Sequence, residues 1–431
     1  MQNKAIIIGN GLAALQAAIE LADLGVRVSL ISNQNSLGGN AKNLYKAFPT
    51  DDCFYCISSI KAKCGIRKCF YRAGIWEHPN IKVYLDSEIS KIEGEIGKFK
   101  VAINQKSQFI EHNKCIQCGE CERICPISID FDDELGIKKR KAIHHRLQNI
   151  PYSYFIYREH CDSNCIKCEE ICPTKAINLK TTSKNYDLEA EIIVIASSYS
   201  EYNPSELREF HYGEFPNVIT QVQLARMLDP TGPTQGQVVR MTDLKPAKKI
   251  LMLQCVGSRD ENTNKYCSEI CCTFACKHAE IIKRERENQA QITVIYKDIR
   301  TDGFNEAYYR KCRELGVDFL KGHISDIMQK NNQLHLTVFD VILNRHIEFE
   351  VDLLVLSSAI IPSDYTKSIM SQFNIEVKEN GFPSTIYDLI ETSKSGIFLC
   401  GSSIKPISIP ESINLAKAAA FKAFQCLRSE N

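Results

Sequence analysis

Residues 4–14 read KAIIIGNGLAA and carry the clearest fold signal in the chain. The apolar run up to Gly9 predicts a buried strand, and an apolar period near 3.6 predicts a helix from Gly11 to about Ala22. A second strand is predicted at Val26–Ile31. The chain therefore opens as a βαβ unit, which predicts an α/β fold with a parallel sheet.

Gly9, Gly11 and Ala14 fit the pattern G-x-G-x-x-A at this strand-to-helix turn. The first glycine permits the tight turn, the second lets the backbone approach a pyrophosphate, and the alanine lets the helix pack closely on the strand. The helix N-terminus then faces the phosphates. We predict a dinucleotide site here; the alternative is a tight turn that binds no ligand.

Three further features bear on which dinucleotide binds. The acidic residue that usually contacts the ribose is replaced by Ser32, which can donate a hydrogen bond but carries no charge. The run Leu37-Gly38-Gly39 resembles the second phosphate-contacting loop of two-dinucleotide flavoproteins. The stretch GIFLCG, residues 396–401, resembles their C-terminal flavin motif, with Ser402 after Gly401 where an Asp usually stands. These resemblances favour FAD over NAD.

A second α/β unit is predicted to start at Lys249, and the strand Val351–Leu356 is predicted to return to the first domain. Where a nicotinamide-binding unit would repeat the glycine motif, the sequence has Gln254-Cys255-Val256-Gly257-Ser258, so no second phosphate cradle is expected. The predicted divisions are 1–109 (FAD-binding domain, first part, with the segment from Cys53 to Cys69), 110–180 (inserted cluster module), 181–245 (second part and connector), 246–350 (degenerate NAD-type unit with a cluster) and 351–431 (third part).

Composition limits the classes of function. The chain has 431 residues, 44% of them apolar, and a formal net charge of +1, so it lacks the overall field that attracts nucleic acid or anionic lipid. No apolar run reaches the roughly 18 residues that predict a membrane-spanning helix. The N-terminus lacks the basic region and cleavage site of a signal peptide, so we expect a cytoplasmic protein.

The 20 cysteines are the strongest chemical signal. Most lie in tight C-x-x-C spacings, which close small loops around a metal more readily than they form long-range disulfides. Two motifs have the C-x2-C-x2-C-x3-C-P form of bacterial ferredoxins, the second with three residues in its first gap; they are Cys115, Cys118, Cys121, Cys125 and Cys161, Cys165, Cys168, Cys172.

In such paired motifs three neighbouring cysteines hold one 4Fe–4S cube and the remote fourth completes the other cube. We therefore predict two ligand sets, with zinc as the alternative. The sets are Cys115, Cys118, Cys121 with Cys172, and Cys161, Cys165, Cys168 with Cys125.

Two other cysteine groups leave more than one interpretation open. One group fits either a cluster or buried structural thiols; its members are Cys255, Cys267, Cys271 and Cys272. The other group fits a 4Fe–4S cluster, zinc or a redox dithiol. Its members are Cys53, Cys56, Cys64 and Cys69. Lys277 is either a cation beside the flavin ring or a solvated helix lysine. The remaining four thiols are predicted to lie in the core; they are Cys276, Cys312, Cys400 and Cys426.

The basic stretch Lys138–Arg146 has no accompanying aromatic platform for nucleic acid, so a solvated connector or a docking face is the preferred interpretation.

Taken together, these features resemble the A subunit of heterodisulfide reductase over nearly the whole chain. The most specific stretches are Phe48-Pro49-Thr50, Arg140-Lys141-Ala142-Ile143, Pro216-Asn217-Val218-Ile219-Thr220, Gly232-Pro233-Thr234, Cys255-Val256-Gly257-Ser258-Arg259-Asp260, Tyr266-Cys267 with Cys271-Cys272, and Ile409-Pro410-Glu411-Ser412. The resemblance implies an α/β, thioredoxin-reductase-like two-dinucleotide-binding flavoprotein fold with an inserted two-cluster ferredoxin module.

It also implies that Cys255, Cys267, Cys271 and Cys272 ligate a cluster close to FAD, and that Lys277 lies by the flavin. Family members work with B and C subunits and often as homodimers. Any connection of this chain to a membrane would then be indirect and made through partner subunits.

The chain departs from the family pattern at Ser32, where an acidic residue is usual. It also departs at Ser197-Ser198 and at Ser357-Ser358, since flavoproteins often have Thr-Gly at each of these two sites. It also ends at Asn431, which resembles the shorter relatives in sulfur-oxidising heterodisulfide reductase-like systems and the A subunit of quinone-interacting membrane-bound oxidoreductase. Electron bifurcation, a role of the long form, is therefore not among the expectations.

The leading hypothesis is an oxidoreductase subunit that relays electrons between FAD, clusters and partner subunits. A self-sufficient NAD(P)H-dependent reductase is the second, and the missing second glycine motif argues against it. The third is a cluster-bearing scaffold with a decayed flavin site, against which the intact Gly9/Gly11 turn argues.

Overall fold

The computed structural model of the protein describes residues 3–46, 48, 70–386 and 389–429. The predicted ligands Cys53, Cys56, Cys64 and Cys69 lie outside the described residues. The strands are β1 (Lys4–Ile8), β2 (Arg27–Ile31), β3 (Ile81–Tyr84), β4 (Ser87–Glu93), β5 (Phe99–Gln105), β6 (Ser128–Ile129), β7 (Arg140–Lys141), β8 (Ile143–His144), β9 (Phe155–Ile156), β10 (Lys184–Ala190), β11 (Ile192–Ile195), β12 (Tyr199–Glu201), β13 (Val218–Thr220), β14 (Lys249–Val256), β15 (Gln291–Tyr296), β16 (Val317–Lys330), β17 (Gln333–Asp340), β18 (Arg345–Val351), β19 (Leu353–Ser358), β20 (Ile360–Pro362) and β21 (Ile397–Leu399).

The α-helices are α1 (Leu12–Asp23), α2 (Phe70–Trp76), α3 (Glu120–Ile124), α4 (Lys167–Glu170), α5 (Gln221–Leu228), α6 (Cys271–Ile281), α7 (Glu306–Glu314), α8 (Asp364–Gln372) and α9 (Ile409–Ser429). None of the helices in the described part of the chain is long and apolar enough to span a membrane.

The first sheet is parallel and has the strand order β21-β11-β1-β2-β3. The predicted βαβ opening is confirmed as β1, α1 and β2. Two strands from later parts of the chain, β11 and β21, also join this sheet, and β21 lies within the predicted flavin motif 396–401. Helices α1 and α9 pack against each other on it, so widely separated parts of the chain share one core.

The second sheet has the strand order β13-β19-β14-β15-β16-β17-β18. The prediction that residues 351–356 return to the first domain is wrong, because β19 pairs in parallel with β13 and β14 of the second sheet. Every residue of β19 is buried. An apolar strand covered on both faces fits the centre of any parallel sheet, so its composition does not say which sheet it joins.

The connector predicted to end the division 181–245 also contributes to this unit. Within it β13 adds an edge strand and α5 follows directly.

The cysteine-rich insert folds around a small core of its own. Two hairpin-like pairs, β6 with β7 and β8 with β9, accompany the short helices α3 and α4. A β-bridge between Ile110 and Ile177 brings the two ends of the insert together. Cys121 and Cys125 are buried in this core with apolar residues around them.

Candidate functional site

A groove lies where the β1–α1 turn, the loop after β2 and the start of α9 meet the start of α6. It is lined by Gly11, Leu12, Gly38, Asn40, Ala41, Leu44, Phe48, Ser198, Tyr199, Ile270, Thr273, Phe274, Ser402, Ile407, Ser408, Ile409, Pro410 and Ser412. The groove is therefore bounded by segments from both sheets, at the carboxyl ends of parallel strands, where α/β folds bind their ligands.

The two glycines of the first turn have different surroundings. Gly9 has φ +147°, and a Cβ added there would lie 2.1 Å from the carbonyl oxygen of Ala196. A Cβ on Gly11 would have no atom within 4 Å, and Gly11 lines the groove. Gly9 is thus required by the close crossing of two chain segments, whereas Gly11 keeps open a space that a ligand backbone contact would use.

The start of α1 is suited to an anion. Gly11 is the N-cap residue, it makes no side-chain cap, and the first turn has no acidic residue. The first N–H groups of a helix lack partners within the helix, and the positive end of the dipole lies there. This end of α1 therefore fits the pyrophosphate that the glycine pattern predicts.

The other predicted glycines bring three loops together at the same place. Gly38 has φ +115° and its N–H donates to the carbonyl of Asn10 over 2.7 Å. A Cβ on Gly39 would lie 2.8 Å from Cα of Gly11, and one on Gly401 would lie 2.5 Å from Cβ of Ala13. Only residues without a Cβ allow the loops to cross this closely.

Ser32 lies at the end of β2, fully buried. Its hydroxyl donates to the carbonyl of Gln34 and accepts from the N–H of Gln34, each over 3.0 Å. The side chain therefore closes the turn after β2, and its predicted contact with a ribose stays a prediction.

Two groove-side residues were missed by the sequence analysis. The side-chain amide of Asn40 donates to the carbonyl of Tyr199 over 3.0 Å, which ties the loop after β2 to β12. Glu201 follows two residues after Tyr199, on the same face of the strand, and burial raises the pKa of its carboxyl group to about 7. No motif identifies these residues, because the contact of Asn40 joins segments 159 positions apart and Glu201 is placed by the pairing of β12 with β20.

The structure brings together the first predicted thiol set. Cys115, Cys118, Cys121 and Cys172 line one small cavity with apolar neighbours. The pKa of the Cys121 thiol is raised to about 12, first by burial and then by the neighbouring Cys115 and Cys118. The thiol of Cys172 accepts from the N–H of Ala176 over 3.3 Å.

The second set is also assembled across the sequence. Burial and then the nearby thiols of Cys161, Cys165 and Cys125 together raise the pKa of the Cys168 thiol to about 11. Burial and the proximity of Cys125 likewise raise the pKa of Cys161. The remote cysteine of each motif thus lies beside the other motif, as the crossed ligation pattern requires.

The third set lies at the carboxyl end of β14 and the start of α6. Cys255 has φ +64°, and the register of β14 against β19 shifts between Leu253 and Val256. Cys271 and Cys272 are buried in the first turn of α6. Burial, Cys255 and Cys267 raise the pKa of both thiols. Each thiolate would repel the others, so these thiols stay protonated without a cation beside them. Bound iron would supply the positive charge that stabilises them as thiolates.

Within the described ranges, no three His, Cys, Asp or Glu side chains surround a point that would hold one metal ion. A single ion needs its ligands around one point, whereas a 4Fe–4S cube is held at four separate irons.

Lys277 is buried on α6, one turn after Thr273 and Phe274, which line the groove. Residues three and four positions apart share a helix face, so Lys277 is on the face that borders the groove but lies deeper. Burial lowers its pKa to about 8 against the opposing effect of Glu280, and Lys46 contributes to the lowering. The interpretation of a solvated helix lysine does not hold, because the side chain is buried.

Three of the four thiols predicted to lie in the core are buried: Cys276, Cys312 and Cys400. The thiol of Cys312 donates to the carbonyl of Cys276 over 3.2 Å. Cys426 is partly exposed.

The first residues of the chain match a known family. A family model described as an FAD binding domain covers residues 4–43, which include the β1–α1 turn and Gly38 and Gly39.

Curated relatives match almost the whole chain. It is 35% identical to the iron–sulfur A subunit of the CoB–CoM heterodisulfide reductase of Methanocaldococcus jannaschii, over 96% of this chain and 63% of the relative. It is 36% identical to the second such A subunit of Methanopyrus kandleri, over 99% of this chain and 64% of the relative. It is 32% identical to the A subunit of the H2:CoB–CoM heterodisulfide, ferredoxin reductase of Methanothermobacter thermautotrophicus, with coverage of 98% and 64%. The chain thus spans less than two thirds of the length of these relatives.

Solved structures agree on the fold. The thioredoxin reductase of Lactococcus lactis aligns with a TM-score of 0.53 and 12% identity, over 99% of this chain and 100% of that one. The thioredoxin reductase of T. acidophilum aligns with a TM-score of 0.51 and 12% identity, over 100% and 99%. At this identity the similarity concerns the fold, which is thioredoxin-reductase-like, as the sequence predicted.

Proposed function

We propose that this chain is an oxidoreductase subunit that relays electrons between FAD and iron–sulfur clusters, a role supported by its 32–36% identity to heterodisulfide reductase A subunits over part of their length. The observation that carries this proposal is the double role of α6. Thr273 and Phe274 line the groove, while Cys271 and Cys272, directly before them, belong to the third thiol set. A flavin in the groove and a cluster on these thiols would be neighbours on one helix.

The residues of the groove would bind and orient the flavin nucleotide. Gly11 and the N-terminus of α1 would hold the pyrophosphate, and the crossing at Gly39 and Gly401 would keep the loops in place. FAD, when bound, couples two-electron to one-electron transfer. Lys277 would supply a positive charge on the groove side of α6 at pH values below its pKa of about 8.

We assign a 4Fe–4S cluster to each of the three described thiol sets. The crossed cysteine sets of the insert support two of these clusters. With both clusters bound, residues from about 110 to 180 would form a ferredoxin-type module. The third set occupies the place where an α/β unit would bind the phosphates of a nicotinamide nucleotide, after its first strand and before its helix. The fourth group, Cys53 to Cys69, is proposed on spacing alone.

The insert is also the proposed contact with partner subunits of the B and C type. Four isoleucines that adjoin cluster cysteines are exposed at the surface: Ile116, Ile124, Ile166 and Ile171. Apolar side chains exposed beside redox centres favour docking that brings a second centre close. We further propose a homodimer within a cytoplasmic complex, in which any membrane contact is made by partners.

The first experiment measures flavin and iron per chain after anaerobic purification. We expect one FAD and about sixteen irons if all four groups hold cubes, or about twelve if only the described sets do. Reduction of the bound flavin in the assembled complex should then reduce the clusters. Electron paramagnetic resonance detects the reduced clusters.

Two results would contradict the proposal. About eight irons without flavin would leave a cluster-bearing scaffold. Rapid bleaching of the isolated chain by NADH would instead make it a self-sufficient reductase. Two variants control the iron count. Cys172→Ser should lose the first cluster of the insert, whereas Cys276→Ser should lose no cluster.

A further inference from the structure

The β-bulge that carries Cys255 is surrounded by buried polar atoms without partners. Both amide atoms of Gln254 and the hydroxyls of Ser258, Ser357 and Ser358 are buried and find no hydrogen-bond partner among the described residues. A buried polar group without a partner is destabilising, so a concentration of such groups at one place points to a bound group that they contact.

Strand register places two of these residues side by side. Leu253 of β14 pairs with Leu356 of β19, so Gln254 and Ser357 are the next residues on adjacent parallel strands. The register shift follows immediately, because two residues of β14 lie opposite one of β19 before the pairing resumes at Val256. Bulges of this kind occur beside functional sites, where they re-aim a side chain.

Both side chains point towards the helix that carries the third thiol set. Residues of a strand alternate between its faces, and Ile250 and Met252 of β14 pack in the core that includes Ala275 of α6. Gln254 continues that face of β14. On β19, Ser357 does the same after Leu353 and Val355, which belong to the same core. The unpartnered donors therefore face the side of the sheet from which Cys271 and Cys272 approach.

The chemistry of these atoms identifies the class of ligand. A primary amide and a hydroxyl donate hydrogen bonds without adding charge. Thiolate and sulfide sulfurs of a cluster accept such bonds, and reduction adds negative charge that N–H and O–H dipoles stabilise.

We propose that Gln254 and Ser357 donate hydrogen bonds to the sulfurs of the cluster held by Cys255, Cys267, Cys271 and Cys272, and thereby raise its reduction potential. This inference rests on the proposed function, since it needs a cluster on the third set. Gln254 and Ser357 are positioning residues for electron transfer: they ligate no iron, but they set how readily the flavin-side cluster accepts an electron.

The test is a redox titration of the purified holoprotein followed by electron paramagnetic resonance. The signal of the third cluster is first identified as the one lost in Cys272→Ser. In Gln254→Leu and Ser357→Ala, which each remove donors, we expect that signal at full intensity with a more negative midpoint potential. Ser357→Thr keeps a hydroxyl and should restore the potential.

A matched control is Tyr365→Phe, which removes another buried hydroxyl without a partner in the described chain. Tyr365 packs against the separate core of the first sheet, so the variant should leave the midpoint unchanged. Equal midpoints in wild type, Gln254→Leu and Ser357→Ala, with iron and flavin content retained, would overturn the inference alone. If Cys272→Ser removes no signal, the assignment of a cluster to the third set fails, and the inference fails with it.

Discussion

Gly9 and Gly11 show how two glycines in one turn have separate roles. The Cβ position of Gly9 is filled by the backbone of Ala196, and its φ of +147° disfavours other residues. The Cβ position of Gly11 is empty and faces the groove. One glycine therefore serves the fold and the other serves the ligand.

We expect Gly9→Ala to lower the free energy of unfolding by at least about 2 kcal/mol, because of backbone strain and the clash with Ala196. Gly11→Ala should change stability little, since its φ of −83° suits alanine, but should reduce bound FAD because the methyl group enters the groove. Urea unfolding and flavin content check both variants. Equal losses of stability in the two would contradict the separation of roles.

Lys277 lies on the groove side of α6, and its surroundings control the pH at which it loses its charge. Its pKa is lowered by burial to about 8, with Lys46 and Arg284 lowering it and Glu280 and Glu285 raising it. The folded protein therefore loses the proton before the unfolded chain does. Between about pH 8 and the ordinary pKa of 10.5 the unfolded state binds more protons, so this lysine makes stability rise with pH in that window.

Lys277→Met should consequently increase the free energy of unfolding below pH 8, by an amount on the order of 2–3 kcal/mol, with the gain fading as the pH approaches 10.5. Unfolding at several pH values checks this expectation. Lys277→Arg stays charged throughout and should lack the rise with pH. A gain in Lys277→Met that is independent of pH would contradict the role of the charge.

At the scale of elements, α5 is the clearest case of a signal that could have been found in the sequence. Its N-cap Thr220 accepts from the N–H of Gln223, and the Gln223 side chain accepts in return from the N–H of Thr220 over 2.8 Å. This capping box follows the T-x-x-Q pattern, which marks a helix start. Pro and Gly are abundant on both sides of this pattern, and such a composition is typical of a connector.

Thr220→Ala should lower the free energy of unfolding by about 1 kcal/mol, because the N–H of Gln223 loses its partner. Thr220→Ser keeps the hydroxyl and should cost a few tenths at most, on the order of 0.3 kcal/mol. Hydrogen exchange of the α5 amides locates the effect. Unchanged exchange in Thr220→Ala would contradict a stabilising cap.

Across the whole molecule, hydrogen bonds to one buried ion pair of the second unit hold the insert in place. Arg226 on α5 pairs with Asp229 over 2.8 Å, and both side chains are almost fully buried. The same guanidinium donates to the carbonyl of Asp133 in the insert over 3.1 Å. Gln148, also in the insert, donates to the carboxylate of Asp229 over 3.3 Å. The position of the insert is thus fixed by groups that water does not reach.

Arg226→Met should cost about 3 kcal/mol or more, because it leaves Asp229 buried without its counter-charge. Arg310→Met is the matched control: its pair with Glu306 is exposed, and its loss should cost less than about 1 kcal/mol. Thermal unfolding compares the two. Similar shifts would mean that the buried pair contributes no more than a surface pair.

The local parts of the protein could be predicted from the amino-acid sequence. The βαβ opening, the glycine turn and the crossed cysteine motifs were all predicted, because each depends on residue types at short, fixed spacings. The resemblance to the A-subunit family extended these predictions to the thioredoxin-reductase-like fold.

Contacts between distant parts of the chain could be read only from the folded molecule. The assignment of β19 to the second sheet, the pairing of β12 with β20 that brings Glu201 near the groove, and the alignment of Gln254 with Ser357 all depend on strand register. Register is set by the packing of apolar faces and by bulges, which involve residues far apart in the sequence. Local spacing carries no record of such contacts, so they emerge only when the sheets are assembled.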